Sequence, residues 1–395
     1  MENIFNNIKY LVGNEDILKN IAKVPPLPLF SDLVVDFFNS LSRRLMSKEI
    51  KGESDIFTLG FWLRRASLEL AKKSYIDAEE RIGWGMVFHI APSNIPIQFA
   101  VSLVYALISG NASVVRVSNK KFHQVDIICR EINECIKEYP EIAPYILIIR
   151  YDHNDAITKA LSAWCDARLI WGGDNTINTV RLSPSPPRSI DLGFADRYSF
   201  TVIDADAYLK LNKEKVANDF YNDTYFSDQN ACSSPRLIVW IGINVAEAKK
   251  TFRKSLKAQT DKRYKMSDIA ASNKLLTTAL AAIRFDDAKE IKEDNTAIWL
   301  EISNLEEDIV HYKENSGYFF EYTAGNLEEI TVILKKECQT ITYIGDLGEK
   351  LRKIVISSGA RGVDRIVPVG RGMDLSLVWD GIDLPLALSR QISVV

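Results

Sequence analysis

Apolar residues recur at helical spacing through the first 80 residues of the chain. The segments SDLVVDFFNSLSRRLMS and IFTLGFWLRRASLELAKK each place apolar side chains three and four positions apart, so each predicts one amphipathic helix. No motif that would carry chemistry stands out in this part. We therefore expect residues 1–80 to be largely helical.

Beyond residue 80, short β-branched runs alternate with helical segments. The predicted strands are WGMVFHI, ASVVRVS, YILIIRYD and ARLIWGGD, and the segments between them have the length of helices. Because such alternation forms βαβ units, it predicts a parallel sheet. Ligands bind at the carboxyl ends of the strands in these sheets. There the chain has the loops APSN, RVSNK and WGGDNT.

The alternation continues past residue 206. The run RLIVWIG predicts a strand between the helical segments LKLNKEKVANDFYNDTYF and NVAEAKKTFRKSLKAQ. The stretch 285–345 has a weaker pattern until TITYIGD, which predicts a strand before the helix LGEKLRKIVISSG. The end of the chain reads as strand and loop, and we find no internal repeat.

Composition narrows the class of protein. With 395 residues and 47% hydrophobic residues, the chain is long enough for two or three domains with a sizeable core. Its formal net charge of -3 argues against a surface dedicated to nucleic acid. No apolar run approaches the roughly 18 residues of a membrane span. The opening residues lack the apolar core of a secretion signal, so we expect a cytoplasmic protein.

Cysteine and histidine spacing excludes two further classes of site. The five cysteines are odd in number, irregularly spaced and without a CxxC pair, and the four histidines form no ligand pair. This spacing predicts neither a disulfide framework nor a metal site.

Cys232 is the candidate nucleophile. A lone cysteine is more often structural, but Cys232 lies among small polar residues in FSDQNACSSPR, where packing would favour it little. The reactive species is a thiolate, so its pKa of ~8.5 must be lowered by amides, helix ends or cations. Arg236 is either such a cation or a structural hydrogen-bond donor.

Two other residues are candidates for the chemistry. Asn94, at the end of a predicted strand, either caps the following helix or donates an amide N–H to a developing oxyanion, and the pattern slightly favours the cap. Asp191 in SIDLGFAD is an acid/base candidate, although most lone aspartates are solvated or cap helices.

The loops after two predicted strands are candidates for cofactor binding. Arg116, Ser118 and Lys120 in GNASVVRVSNK suit a phosphate or a ribose, with a solvated loop as the alternative. Gly172 and Gly173 form a strand–helix turn that is not GxGxxG and is weak as a nucleotide motif by itself.

Together and in order, these segments resemble the aldehyde dehydrogenase superfamily. FSDQNACSSPR resembles its FxNxGQxCxxxxR-type motif, APSNIPI its PWNFP, GNASVVRVSNK its GNxVVxKPS, and IDLGFAD its ELGGK. WGGDNT stands in place of its TGSxxxG turn. The resemblance makes Asn94 the counterpart of the oxyanion-hole asparagine and Cys232 that of the nucleophile. The residues that it assigns to the cofactor are Pro92, Ser93, Arg116, Ser118, Lys120, Gly172, Gly173, Thr176 and Gly193.

Within that superfamily the chain resembles the LuxC-type acyl-CoA (fatty acyl) reductases, over roughly residues 80–390. The resemblance implies an α/β fold with a Rossmann-type cofactor domain, an α/β catalytic domain and a C-terminal oligomerisation segment. We place the domains as follows: a helical N-terminal part of the cofactor domain at 1–80, the NAD(P)-binding domain at 81–205, the catalytic domain with the cysteine at 206–365, and at 366–395 a C-terminal segment for oligomerisation or return to the cofactor domain.

Departures from the superfamily pattern shape the functional expectation. Asp191 replaces the glutamate that activates water in acid-forming relatives, and Phe194 and Asp196 stand near its second glycine and lysine. A weakened base suits a reductase, because its thioester must survive until hydride arrives. Arg116 stands where lysine is usual, and a guanidinium suits a 2′-phosphate, so we expect NADPH.

The resemblance implies NADPH-dependent reduction of an acyl thioester to an aldehyde through an acyl-cysteine intermediate. The substrate is acyl-CoA or a carrier-bound acyl group, with an acyl-transferring or acyl-activating partner protein and a homo-oligomer expected. The alternatives are NAD(P)-dependent oxidation of an aldehyde to an acid, and a non-catalytic acyl-binding subunit.

Overall fold

The computed structural model describes residues 4–50, 52–292 and 294–394. Residues 1–3 and Lys51 of the expected N-terminal part, Glu293, and Val395 of the expected C-terminal segment lie outside the described residues. The chain divides into two compact units. Unit 1 comprises residues 1–195 and 375–395, and unit 2 comprises residues 196–374.

Unit 1 is built on a six-stranded sheet in which every strand pair except one is parallel. The strand order is β1-β5-β4-β3-β6-β7, and only β1 runs antiparallel to its neighbour. These strands are β1 Lys9–Val12, β3 Met86–Ile90, β4 Ala112–Arg116, β5 Ile146–Arg150, β6 Ala167–Trp171 and β7 Ile190–Phe194; a further strand, β2, is Arg81–Gly83. The four strands predicted between residues 84 and 174 are confirmed as β3 to β6.

Helices cover the sheet of unit 1. The helices are α1 Glu15–Asn20, α2 Asp32–Leu45, α3 Ser54–Trp62, α4 Arg65–Lys72, α5 Gln98–Ile108, α6 His123–Glu138, α7 Asp155–Trp164 and α8 Asp174–Arg181. Helix α5 has no exposed residue, as its nearly continuous apolar run requires.

The prediction of one helix over IFTLGFWLRRASLELAKK was wrong, because the chain forms two. Helix α3 stops at Trp62, and Arg64 takes an extended ψ of 141°. The side chain of Asn39 accepts the N–H of Arg65 at 3.2 Å, which supplies a partner for the new helix start. The guanidinium of Arg64 lies 3.3 Å from the ring centre of Phe61. Local helix propensity carried no sign of either contact.

Unit 2 is built on a seven-stranded sheet of order β10-β11-β12-β9-β8-β13-β14, with only β10 antiparallel to its neighbour. Its strands are β8 Tyr198–Asp204, β9 Pro235–Ile241, β10 Lys289–Lys292, β11 Ile298–Ile302, β12 Tyr318–Thr323, β13 Cys338–Ile344 and β14 Arg365–Pro368. Its helices are α9 Ala205–Tyr208, α10 Lys213–Asp223, α11 Val245–Arg263, α12 Asp268–Arg284 and α13 Gly348–Ser357.

The C-terminal residues return to unit 1. They form β15 Val378–Trp379, β16 Ile382–Asp383, α14 Leu384–Ala387 and β17 Ser389–Gln391, and β17 pairs with β2. The units divide after residues 195 and 374, whereas the sequence analysis placed its divisions after residues 80, 205 and 365.

Asn111 fastens this C-terminal segment to the sheet of unit 1. Its buried side-chain oxygen accepts the N–H groups of Trp84 at 2.7 Å and Gly85 at 3.0 Å. Its amide donates to the carbonyls of Leu388 at 2.8 Å and Ala106 at 3.2 Å. One side chain thus satisfies four backbone groups.

Over the parts of the chain that the structure describes, no helix has both the length and the apolar character needed to cross a membrane.

We expect Asn111→Ala to destabilise the protein by about 3 kcal/mol or more, because it leaves buried N–H and C=O groups without partners. Urea unfolding followed by circular dichroism measures this. The exposed Asn178→Ala on α8 is the matched control, with an expected change within about 0.5 kcal/mol. Equal stability of the two variants would contradict the role given to Asn111.

Candidate active site

Cys232 lies in a strained turn just before β9. Asp228 and Gln229, on its N-terminal side, have φ angles of 52° and 57°. Two consecutive residues other than glycine in the left-handed region are unusual, and each costs of order 1 kcal/mol or more. Such a conformation persists only where the surroundings hold it in place.

The side chain of Gln229 holds the turn. Its oxygen accepts the N–H groups of Gly317 at 2.9 Å and Tyr318 at 3.1 Å. Its amide nitrogen donates to the carbonyls of Pro235 at 2.8 Å and Tyr318 at 3.1 Å. The residue is completely buried, so these bonds are shielded from water. They join residues 228–234, which we call the cysteine turn, to the start of β12.

Arg236 supports the same turn from β9. Its guanidinium donates to the carbonyl of Glu314 and to the side chain of Asn315, both at 2.5 Å, and to the carbonyl of Gln229. Burial lowers the pKa of Arg236 to about 10, against the opposing charges of Cys232 and Asp196. The guanidinium therefore stays protonated at neutral pH and acts electrostatically on the sulfur.

Polar groups of unit 2 surround the sulfur and backbone of Cys232. Its Sγ lies 3.9 Å from Oδ1 of Asp196, whose other oxygen pairs with Nζ of Lys313 at 3.1 Å. The hydroxyl of Ser199 donates to the carbonyl of Cys232 at 2.7 Å. The backbone of the nucleophile candidate is thus fixed.

The other four cysteines are buried, whereas Cys232 is partly exposed. Burial raises the pKa of Cys129 and Cys165 to about 12 and that of Cys135 to about 11, and it also raises that of Cys338. Those thiols are therefore unreactive near neutral pH.

In unit 1, Ser93 and Asn94 are exposed in the loop after β3. The first residue of α5 is Gln98, and Ile97 occupies the cap position. The interpretation of Asn94 as a helix cap is therefore wrong.

The loops after β3 and β4 line a small pocket. Pro92, Ser118 and Lys120, three of the residues predicted to bind the cofactor, are on its walls with Phe122. The Lys120 ammonium lies 4.9 Å from the ring centre of Phe122, and the backbone N–H of Lys120 donates to the Ser118 hydroxyl at 3.1 Å. The structure thus brings these residues together at the carboxyl ends of β3 and β4.

Arg116, the last residue of β4, lies against Tyr151. Its guanidinium carbon is 5.4 Å from the tyrosine ring centre, and one N–H donates to the Tyr151 carbonyl at 3.4 Å. These contacts orient the guanidinium and leave most of its five N–H groups for another acceptor.

The turn after β6 approaches the end of β7. The N–H of Gly172 donates to the carbonyl of Phe194 at 3.2 Å, and a Cβ on Gly172 would lie 3.1 Å from Thr176. A Cβ on Gly173 would meet open space. At Gly193 an added Cβ would come within 3.2 Å of side chains of α8. Glycine thus permits close packing at two of these positions and an accessible backbone at the third.

A family model described as LuxC, acyl-CoA reductase, matches residues 18–390. The chain belongs to the LuxC acyl-CoA reductase family. It is accordingly an oxidoreductase of the aldehyde dehydrogenase type, and the family supports reduction of an acyl group to an aldehyde. The predicted family is confirmed. No curated protein matches the chain in sequence.

Solved structures share the fold at low sequence identity. An NAD-dependent benzaldehyde dehydrogenase from Corynebacterium glutamicum is 12% identical, with a TM-score of 0.62 over 95% of this chain and 87% of that chain. An indole-3-acetaldehyde dehydrogenase complexed with NAD+ is 13% identical, with a TM-score of 0.62 over 96% and 83%. A proline utilization A (PutA) variant from Bradyrhizobium japonicum is 14% identical, with a TM-score of 0.64 over 95% of this chain and 42% of that chain. The predicted α/β fold class is confirmed.

Asp191 has a structural task in this LuxC-family chain. Its carboxylate pairs with the guanidinium groups of Arg168 and, at 3.1 Å, Arg181. Arg168 is buried and also donates to the carbonyls of Val180 and Ser183. A role for Asp191 as a base stays a prediction.

Sequence reasoning missed the residues that support the cysteine. Ser199 contacts the Cys232 carbonyl directly, and Lys313 is linked to the sulfur through Asp196. No local signal pointed to either residue. Asp196 stood beside a recognised motif, but its approach to Cys232 depends on the pairing of β8 with β9. Among the described residues, no three His, Cys, Asp or Glu side chains form a candidate metal site.

We expect Asp191→Asn to lower the free energy of unfolding by about 2 kcal/mol, because the buried Arg168 loses a charged partner. Chemical unfolding compared with Glu79→Gln, an exposed residue, measures this loss. A variant as stable as that control would show that the ion pair contributes nothing.

Proposed function

We propose that the chain catalyses NADPH-dependent reduction of an acyl thioester, on CoA or a carrier, to an aldehyde through an acyl-Cys232 intermediate. One observation carries the proposal. Cys232 is partly exposed in a strained, hydrogen-bonded turn, whereas the remaining four cysteines are buried with raised pKa values. A family of acyl-CoA reductases supplies the reaction class.

The covalent steps follow from the chemistry of a thiolate. The sulfur of Cys232 attacks the thioester carbonyl, and the negative charge collects on the carbonyl oxygen. We assign stabilisation of that oxygen to the amide of Asn94 and the backbone N–H of Cys232. The CoA or carrier thiolate then leaves, and the acyl group stays on Cys232. After reduction, the thiohemiacetal releases the aldehyde and regenerates the thiolate.

Two cations lie near the cysteine turn. The Arg236 cation is fixed by three hydrogen bonds in which its guanidinium donates. Lys313 pairs with Asp196 and so offsets the carboxylate that lies beside the sulfur.

The residues of unit 1 fit a dinucleotide. Gly173 leaves open space beside the backbone, and the small pocket presents Lys120 and Ser118. We propose that NADPH binds at the carboxyl ends of the parallel strands of unit 1, with Arg116 facing the 2′-phosphate. The residues that line this proposed site are Pro92, Ser93, Gly172, Thr176 and Gly193. When bound, the nicotinamide supplies a hydride to the acyl carbon.

The cellular setting is part of the proposal. All five cysteines are thiols, which fits a reducing compartment such as the cytoplasm. By family resemblance, we propose a homo-oligomer that works with an acyl-transferring or acyl-activating protein.

Oxidation of an aldehyde to an acid is less well supported. That reaction needs a base to activate water, and the candidate Asp191 is held by two arginines. A non-catalytic acyl-binding subunit would not need the fixed, partly exposed thiol.

Cys232→Ala is expected to abolish formation of the acyl adduct and aldehyde, while NADPH binding stays nearly unchanged. Intact-mass spectrometry with a panel of acyl-CoAs measures the adduct, and the absorbance of NADPH follows aldehyde formation. NADPH titration measures cofactor binding. Cys338→Ala serves as the control and should still be acylated. Normal acylation of the Cys232→Ala variant would disprove the assignment.

Asn94→Ala is expected to slow acylation by about 100-fold, because an oxyanion donor is removed. Rapid quenching and mass spectrometry give the acylation rate, and NADPH titration checks that the cofactor still binds. An unchanged rate would remove Asn94 from the catalytic group.

A further inference from the structure

A buried carboxylate holds a loop that reaches the cysteine turn. Asp223, the last residue of α10, is completely buried. Its two oxygens accept the N–H groups of Gly370 at 2.6 Å and Gly372 at 2.9 Å. We call residues 370–374 the glycine loop. Gly370 has a φ of 92°, and a Cβ there would lie 2.7 Å from the Cβ of Asp219, so the close approach requires glycine.

The opposite side of the glycine loop is held by a guanidinium. Arg365 on β14 donates to the carbonyls of Arg371 at 2.9 Å, Gly372 at 3.0 Å and Asp374 at 3.1 Å. The loop therefore has its N–H groups on a carboxylate and its carbonyl groups on a cation, and both contacts are charge-assisted.

The glycine loop presents Met373 to the cysteine turn. The thioether sulfur of Met373 lies 3.4 Å from the hydroxyl of Ser233, the residue that follows Cys232. A chain of direct contacts thus runs from the carboxylate of Asp223 through the loop to the neighbour of the nucleophile.

We propose that Asp223 is a positioning residue for Cys232: by fixing the glycine loop, it keeps Met373 against Ser233 and so sets how the sulfur is presented. This inference rests on the proposed function of Cys232.

Burial of the Asp223 carboxyl has an energetic cost that depends on pH. Burial raises its pKa to about 7, with Asp374 and Asp219 adding to the effect and the two glycine N–H groups opposing it. The unfolded pKa is ~3.9, so the stability contribution is present below that pH and is lost as pH rises through about 7. The nearby cations Lys215 and Arg371 pair with Asp219 and Asp374. Above about pH 7 the ionised and buried carboxylate is thus a cost to folding.

Asp223→Asn tests the proposal with little change of shape. An amide nitrogen replaces one oxygen and cannot accept a glycine N–H, so one charge-assisted hydrogen bond is lost. We expect acylation of Cys232 to slow by about tenfold, the effect of one such bond. Alkylation of Cys232 by iodoacetamide should become several-fold faster, because Met373 no longer packs against the turn.

Two controls separate positioning from general damage. Glu214→Gln removes an exposed carboxylate from the first turn of α10, and both rates should match the unmodified protein. The buried Cys338 reports loosening of unit 2, and it should stay unlabelled in each variant. Labelling of Cys338 together with Cys232 would overturn the positioning role.

Met373→Ala is a second variant that leaves Asp223 intact. It should reproduce both effects, slower acylation and faster alkylation. Unchanged rates in Met373→Ala, or in Asp223→Asn, would overturn the inference. If the unmodified protein forms no acyl adduct, the proposed function fails, and the alkylation rates still test the positioning role.

A melting profile against pH completes the test. Between pH 5 and pH 8 the melting temperature of Asp223→Asn should rise relative to that of the unmodified protein, because only the latter ionises a buried carboxyl. A variant that is comparatively more stable at pH 8 and yet slower in acylation supports a positioning role. A variant that is slower in acylation and less stable at both pH values contradicts it, because a general loss of stability then accounts for the slower rate.

Discussion

The buried amide of Gln229 is the interaction on which the candidate active site depends. Two residues of the cysteine turn occupy the left-handed region, and this strain needs compensation from fixed hydrogen bonds. Four bonds from one side chain to backbone groups of β9 and the start of β12 provide it. Arg236 and Ser199 then attach to a backbone whose path is already set. The proposed role of the sulfur thus depends on the rigidity of its turn.

Buried parallel strands were the most predictable part of the fold. Strands β3 to β6 are short, β-branched and almost wholly buried, so their composition alone marks them. The sequence of helix α12 gave no comparable signal, because a lysine of this helix is buried and several of its apolar residues are exposed. Lys274 is completely buried and donates to backbone carbonyls, whereas Leu276 and Ile283 are exposed. A reading of apolar spacing cannot find a helix whose lysine faces inward.

The candidate site also has residues that the sequence could indicate and residues that it could not. Cys232, Asn94 and the turn at Gly172 and Gly173 each lie in a contiguous motif, so the sequence could point to them. Asp223 and Lys313 lie outside those motifs, and their meaning depends on strand pairing and on a loop some 150 residues further along the chain. Site residues that lie in one contiguous motif can be predicted from the sequence. The residues that support them come from distant parts of the chain and are identified only in the folded structure.

The discontinuity of unit 1 has a consequence for synthesis. Residues 196–374 are translated between its two parts, so β17 and the Asn111 contacts with Leu388 form only after unit 2 has left the ribosome. Until then, Trp84 and Gly85 already have their partner, but β2 lacks its neighbouring strand. A nascent chain therefore can complete the six-stranded sheet while β2 still waits for β17, the strand that closes its separate two-stranded sheet.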